Sequence, residues 1–323
     1  MNALDAPSEA LEPWQTWLHV PDSDAKLALR HYGPEASHAA PVAHVVIAPA
    51  MGVPQTHYSA FAQWLAQCGY MVTTFDYRGH AASRHTPLRK VRATLMDWAQ
   101  DGATVAQYLR HQQQRRRTHL PLLWIGHSVG AQLPGLCQPQ LPIDGLLMVA
   151  SGSGYWRDYA LPTRRKAVLW WWGVQPVLTS MFGGLPGQRL GIIGDLPAGV
   201  VWQWRKWCMQ PNYSLDVEGE SVRQSYAAAR YPIHALAMED DEMMSLRSIE
   251  SLMGWYANAP RTLQVLSPQQ VGDGGPIGHM GFFRKKMAAT LWPEALQVLQ
   301  KWAGKEASAH ACGAQVPEQS LQA

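Results

Sequence analysis

Between Leu120 and Leu136 a strand-like apolar run breaks into a turn and restarts as a helix, and no other stretch limits the possible folds as sharply. Its centre reads Gly126-His127-Ser128-Val129-Gly130. A serine on so sharp a strand-to-helix turn takes strained backbone angles, and side chains two positions to either side would strike neighbouring backbone. Glycine removes that collision. Leu122, Leu123, Trp124 and Ile125 form the continuous apolar run of a strand buried on both faces of a parallel sheet. Val129 to Leu136 can start a helix whose N-terminus points back at the serine, with backbone N–H groups and the positive end of a dipole. A glycine-rich turn around an ordinary serine would show the same letters, so partners elsewhere must decide.

The alternation around this stretch sets the fold class. Trp14 to Val20 and Lys26 to Tyr32 read as a hairpin around Pro21-Asp22-Ser23-Asp24, followed by a loop over Pro34 to Pro41. Strands are then expected at His44 to Ala48, Tyr70 to Phe75, Leu120 to Ile125 and Asp144 to Ala150, with helices at Tyr58 to Gln67 and Ala93 to His111. From Ser151 to Arg230 the rhythm fails. This stretch is rich in tryptophan, glycine and proline and reads as a mainly helical insertion. Periodicity resumes with a strand at Tyr231 to Met238, a helix at Leu246 to Ala257, a strand at Arg261 to Leu266 and a final helix at Phe283 to Trp302. The expectation is an α/β chain with a doubly wound, mostly parallel sheet. Its core would comprise residues 1–150 and 231–303, the insertion residues 151–230, and a loose tail residues 304–323.

Composition excludes several alternatives. Of 323 residues 47% are apolar and 16% charged, enough for a sizeable core and too little charge for global disorder. A net charge of +3 is too mild and scattered for a nucleic-acid partner. Arg115 to Arg117 fit a solvated helix end, where cations suit the dipole. Cys68, Cys137, Cys208 and Cys312 are far apart, suggesting neither a zinc site nor a disulfide framework. Residues 1–14 contain no apolar leader-like run. The most apolar stretch, Ala167 to Phe182, is interrupted by Gln175 and Pro176 and falls short of a spanning length. A soluble, cytoplasmic protein, with membrane association disfavoured, is the expectation.

A serine hydroxyl is a poor nucleophile at neutral pH; it needs a base in reach and an acid behind the base. The strand ending at Met238 runs into Glu239-Asp240-Asp241-Glu242, which puts carboxylates at a strand's C-terminal end, where ligand sites in such sheets lie. Beyond the next strand a glycine-rich loop, Gly272 to Gly275, leads to Gly278-His279-Met280-Gly281. Serine, acid and histidine thus follow in the chain order of a doubly wound hydrolase. Charge alone does not say which acid is used.

The chain resembles the α/β-hydrolases, and within them the bacterial hydrolases near the serine aminopeptidase and monoglyceride-lipase branch. The resemblance is carried by Ala48 to Gly52 with Tyr58, Thr74 to Gly79 with Ser83, Gly126 to Gly130, Ala150 to Arg157, Asp240-Asp241-Glu242 and Ile277 to Arg284. It implies Ser128 as nucleophile, His279 as base and Asp241, better framed than Asp240, as the acid. The backbone N–H groups of Met51 and Val129 would bind an oxyanion, with Gly52 keeping the loop open, and no cofactor or metal is implied. Two departures concern loop geometry: Pro49-Ala50 where relatives often carry histidine-glycine, and Ala81 where a second glycine is common.

The insertion leaves the sheet where such hydrolases place a cap. Its tryptophans would pack it against the sheet or line an acyl pocket. Arg164, Arg165 and Lys166 fit an ordinary solvated face, with an interfacial surface for lipid as the alternative. Serine at the elbow argues against chemistry that uses an aspartate nucleophile there. The expected function is a serine hydrolase acting on a small-molecule carboxylic ester, with peptide or amide cleavage, acyl transfer or a non-catalytic binding scaffold as alternatives. Oligomeric state has no signal in the sequence.

Overall fold

A computed structural model describes residues 12–34, 40–272 and 275–304. The tail expected beyond Gly304, the first eleven residues and the centre of the glycine-rich loop fall outside that range. In chain order, β1 (Trp14–His19) and β2 (Lys26–Tyr32) form an antiparallel hairpin. Next come β3 (His44–Ala48), α1 (Ser59–Gln67), β4 (Met71–Phe75), α2 (Leu95–Arg115), β5 (Leu122–His127), α3 (Val129–Gln132) and β6 (Gly145–Val149). The inserted segment holds α4 (Leu161–Leu169), a π-helical turn (Trp170–Val174), α5 (Gln175–Phe182), β7 (Gly184–Leu185), β8 (Leu196–Pro197), α6 (Ala198–Cys208), α7 (Ser214–Glu218) and α8 (Glu220–Ala228). The chain returns with β9 (Ile233–Met238), α9 (Leu246–Trp255), β10 (Arg261–Leu266), α10 (Gly278–Gly281) and α11 (Trp292–Ala303).

Eight strands lie side by side in the order β1-β2-β4-β3-β5-β6-β9-β10. Only the β1–β2 and β2–β4 pairs are antiparallel; all the others are parallel. The strands read as unbroken apolar runs because both faces are covered. Val45, Ile47, Leu123 and Ile125 pack with Phe61 and Leu65 of α1 and Leu299 of α11. Val46, Ala48 and Trp124 point the other way, into a layer with Trp98 of α2 and Trp171 and Val200 of the insertion. From β3 the chain first moves outward to β4, then crosses back to β5 on β3's other side. That reversal opens a crevice beyond the C-terminal ends of β3 and β5, the place where open parallel sheets bind ligands.

Two local expectations are corrected. The last helix begins at Trp292, not at Phe283. Pro293 lacks an N–H and would collide with a preceding turn, so it suits a helix's first positions and not its interior. The preceding residues instead fold back, with Trp292 Nε1 donating to the Phe282 carbonyl at 2.7 Å. Helix α2 starts two residues later than expected because Thr94 caps it: Thr94 Oγ1 accepts from Asp97 N and the Asp97 carboxylate accepts from Thr94 N. Within the insertion β7 and β8 pair as a short antiparallel ribbon. Cys137 and Cys208 are free and buried.

Candidate active site

β5 delivers Ser128 to the switch-point crevice in a conformation with φ 53° and ψ −120°. For a residue with a Cβ, that left-handed conformation costs about 1–2 kcal/mol, and the surroundings over-determine it. The Ser128 N–H donates to the Val149 carbonyl at 3.0 Å. The Ser151 hydroxyl donates to the Ser128 carbonyl at 2.7 Å. A Cβ on Gly126 would stand 2.3 Å from the Ala131 backbone, and one on Gly130 would stand 2.2 Å from the Ala48 carbonyl oxygen. The glycines therefore allow the turn to close on α3 and to press against the end of β3.

That pressure brings the two candidate oxyanion donors together. Ala48 and Gly126 are register partners, so Met51 and Val129 leave adjacent strands on the same side of the sheet, and both line one cavity with Ser128. Among the described residues, neither the Met51 nor the Val129 N–H donates to a protein acceptor. Pro49-Ala50 stands where a bracing histidine was expected, and two tyrosines do the bracing instead. Tyr77 Oη donates to the Pro49 carbonyl at 3.0 Å, and Tyr58 Oη accepts from Ala50 N at 2.9 Å. Ala81, the other departure, adopts φ 40° despite its Cβ.

The acidic run after β9 divides its work. Asp241 Oδ2 lies 2.9 Å and Oδ1 3.2 Å from His279 Nδ1. Its Oδ1 also accepts from the backbone N–H groups of Met243 and Met244 at 2.7 and 2.8 Å. These two bonds hold the carboxylate on its own turn and aimed at the imidazole. Asp240 instead accepts from Ile277 N at 2.9 Å and Gly278 N at 3.0 Å. Glu242 Oε2 accepts from His279 N at 3.0 Å. One acid thus meets the ring and its two neighbours tie down the backbone that carries it. With Nδ1–H given to Asp241, Nε2 is the nitrogen of His279 left to accept a proton.

A second histidine, whose role the sequence reading missed, links these pieces. His127 is wholly buried at the end of β5. Its Nε2 donates to the His279 carbonyl at 3.0 Å, and its Nδ1 accepts from Tyr58 Oη at 2.8 Å. Because a carbonyl can only accept, the proton sits on Nε2, and every polar atom from Ala50 N to the His279 carbonyl is satisfied in one direction. Burial, reinforced by the proximity of His279, drives the His127 pKa well below its ordinary value and keeps the ring neutral. The available signal was a polar residue inside an otherwise apolar, two-sided strand.

Ser128 and His279 face a common cavity of about 630 Å³, within the size range of small-molecule sites. Its walls are mainly apolar. The insertion supplies Trp170, Trp171 and Trp204, while Met243, Met244 and Met280 flank His279. Trp171 and Trp204 meet edge to face at 5.0 Å, and Arg205 Nε donates to the Trp171 carbonyl at 2.7 Å, satisfying a group in the π-helical turn. Of the other tryptophans of the insertion, Trp207 is fully buried whereas Trp172 and Trp202 are exposed. Among the described residues no group of three or more His, Cys, Asp or Glu side chains is placed to hold a metal.

The strand order, the strained serine at the switch point and the histidine loop beyond the last strands define the class of fold: the chain has the α/β-hydrolase fold. Its residues 39–183 match the model of a family described as serine aminopeptidase, S33. That match takes in the Met51 loop and the Ser128 elbow, and ends before Asp241 and His279. The fold is similar to that of a monoglyceride lipase from Saccharomyces cerevisiae, solved as a soluble variant with a substrate analogue: TM-score 0.65, 15% identity, 92% of this chain and 97% of that one. It is also similar to a thermostable carboxyl esterase from Bacillus coagulans (TM-score 0.60, 10% identity, 90% and 99%). An esterase from Pyrococcus furiosus gives 0.57 at 14% identity over 90% and 91%. No curated protein matches the chain in sequence.

Proposed function

We propose that the protein is a serine hydrolase that cleaves carboxylic esters of apolar acids through an acyl-enzyme, with Ser128, His279 and Asp241 as its catalytic triad. His279 Nε2 takes the Ser128 proton as Oγ attacks the acyl carbonyl. Asp241 keeps the imidazole in the productive tautomer and stabilises the imidazolium. The Met51 and Val129 N–H groups bind the oxyanion. The imidazolium then gives its proton to the departing alcohol, and a water activated by the same ring releases the acid and restores the serine. Residues 151–230 act as a cap over the cavity. The observation that carries this reading is the hydrogen bond from His279 Nδ1 to a carboxylate fixed on its own turn, at the edge of the cavity that also holds a strained serine.

An aminopeptidase-like activity would call for a carboxylate from the cap to hold a substrate amine. Among the described residues the insertion's share of the lining includes Lys166 and no acid. Glu242, the acid that does line the cavity, already accepts from His279 N. These features favour esters over aminoacyl substrates. The lipase and esterase names among the structural neighbours point the same way. A series of p-nitrophenyl esters of increasing acyl length, run beside aminoacyl-arylamides, tests the assignment. Turnover is expected for the esters, improving with chain length. Turnover confined to the arylamides would reverse the preference, and silence on both would favour a binding scaffold.

A further inference from the structure

α4, the π-helical turn and α5 form one unbroken helical run from Leu161 to Phe182. Its buried positions recur every four residues at Ala167, Trp171, Gln175 and Thr179. Two of these are polar, and Gln175 Nε2 donates to Thr179 Oγ1 at 3.0 Å inside the protein. The opposite face shows the reverse: Leu169 is 69%, Trp172 51%, Val177 55% and Met181 71% exposed. A surface helix ordinarily turns its apolar stripe inward and its polar one to water; here, Trp171 apart, large apolar side chains face out while Gln175 and Thr179 face in. Nine of the fifteen large hydrophobic residues exposed among the described residues fall within residues 161–192. Single exposed apolar residues need no explanation, but a contiguous field of them does.

The charge of the same region is one-sided. No acidic residue occurs between Asp158 and Asp195, a stretch that contains Arg164, Arg165, Lys166 and Arg189. Among the described residues none of these four is ion-paired. Pressing this face on its own copy would set like charge on like charge in a self-complementary contact. An anionic lipid surface complements it, since basic residues and outward tryptophan and leucine are what hold an amphipathic helix in a bilayer interface. The cavity opens on this side as well, because Lys166 and Ile192 are exposed and also line it.

We propose that the outer face of this helical run is a docking surface for an anionic phospholipid bilayer, on which it lies without crossing. Among the described residues no helix is long and apolar enough to cross one. Resting on the hydrolase reading above, the arrangement sets the cavity mouth at the acyl boundary, so that a lipid-borne ester reaches Ser128 without passing through water. From sequence, Arg164, Arg165 and Lys166 fit an ordinary solvated face better than an interfacial one; the exposed apolar side chains beside them favour the interfacial alternative.

Co-sedimentation at low salt tests the proposal, with vesicles of phosphatidylcholine alone and of three parts phosphatidylcholine to one of phosphatidylglycerol. The full chain is expected to pellet with the anionic vesicles, less with the neutral ones, and to be released by salt. The Arg164→Ala/Arg165→Ala variant should partition about thirtyfold more weakly, at roughly fivefold per cation. Leu169→Asp/Met181→Asp should remain in the supernatant while keeping wild-type turnover of p-nitrophenyl acetate and an unchanged melting curve. Wild-type protein that stays in solution with both vesicles, or an aspartate variant that still pellets, overturns the proposal. So does a dimer, seen by sedimentation velocity, that the aspartate pair disperses while no vesicle is bound. Vesicle binding in a protein that turns over no ester would remove the hydrolase reading and leave the docking surface standing.

Discussion

Replacing Tyr58 by phenylalanine removes a single oxygen atom that serves two elements at once. That oxygen accepts from Ala50 N at 2.9 Å and donates to His127 Nδ1 at 2.8 Å, and Tyr58 is fully buried. The variant keeps the ring's packing and leaves two buried polar groups unpaired, each costing about 1–3 kcal/mol. Partial relaxation brings the expected loss of stability to about 3 kcal/mol. Tyr58 does not line the cavity, so KM for a short ester should change little. Ala50 immediately precedes a proposed oxyanion donor, and a shift of about 1 Å in such a group lowers kcat by up to about a hundredfold. Urea unfolding and steady-state kinetics read the two effects. His127→Asn interrupts the same chain of bonds, so the pair should be strongly non-additive, with a coupling above about 1 kcal/mol. A stability loss under about 1 kcal/mol with unchanged kcat, or an effect confined to KM, would refute the relay.

The divided acidic run makes Asp241→Asn and Asp240→Asn informative together. The first should lower kcat on the order of ten-thousandfold by losing the tautomer control of His279. The second loosens only the Ile277–Gly278 backbone and should reduce kcat by about tenfold or less; equal losses in the kinetic assay would contradict the division. Ser128→Gly should abolish turnover yet stabilise the fold by about 1 kcal/mol in chemical denaturation, because glycine relieves the positive φ. A destabilised variant would mean that no strain is stored there. His44, whose Nε2 bonds the Thr73 hydroxyl, is pushed down to a pKa of about 3 by burial, with nearby His31 and arginines adding to it. The unfolded chain therefore takes up a proton below about pH 6.5 that the folded one refuses, and this group lowers stability as pH falls. In His44→Gln the slope of unfolding free energy against pH between about 6 and 4 should be shallower by about 1.4 kcal/mol per pH unit; an unchanged slope would show that His44 titrates normally.

Much of the sheet was legible because burial on both faces writes itself as unbroken apolar runs; β3 and β10 match their expected bounds. Ser128, the acidic run Glu239 to Glu242 and His279 stood out as candidates for a related reason: the elbow needs its glycines, and the chain order follows the topology, while the preference for Asp241 within the run came from the family resemblance. The partners of Asp240 and Glu242 were not legible, since they depend on how the turn after β9 meets a loop nearly forty residues away. Nor was the role of His127, whose partners Tyr58 and the His279 carbonyl are distant in sequence. The late start of α11 was written in Pro293, and the aromatic run before it masked the signal. The outward stripe on α4 and α5 reads in sequence as a hydrophobic core helix; only burial tells inside from outside.

The proposed chemistry depends most on Ser128 being the activated nucleophile. Treatment with a fluorophosphonate followed by peptide mass spectrometry tests this directly. One adduct per chain is expected, on Ser128, and none in the Ser128→Ala protein. An adduct on another residue, labelling that survives in Ser128→Ala, or no adduct on the folded wild-type chain would contradict it.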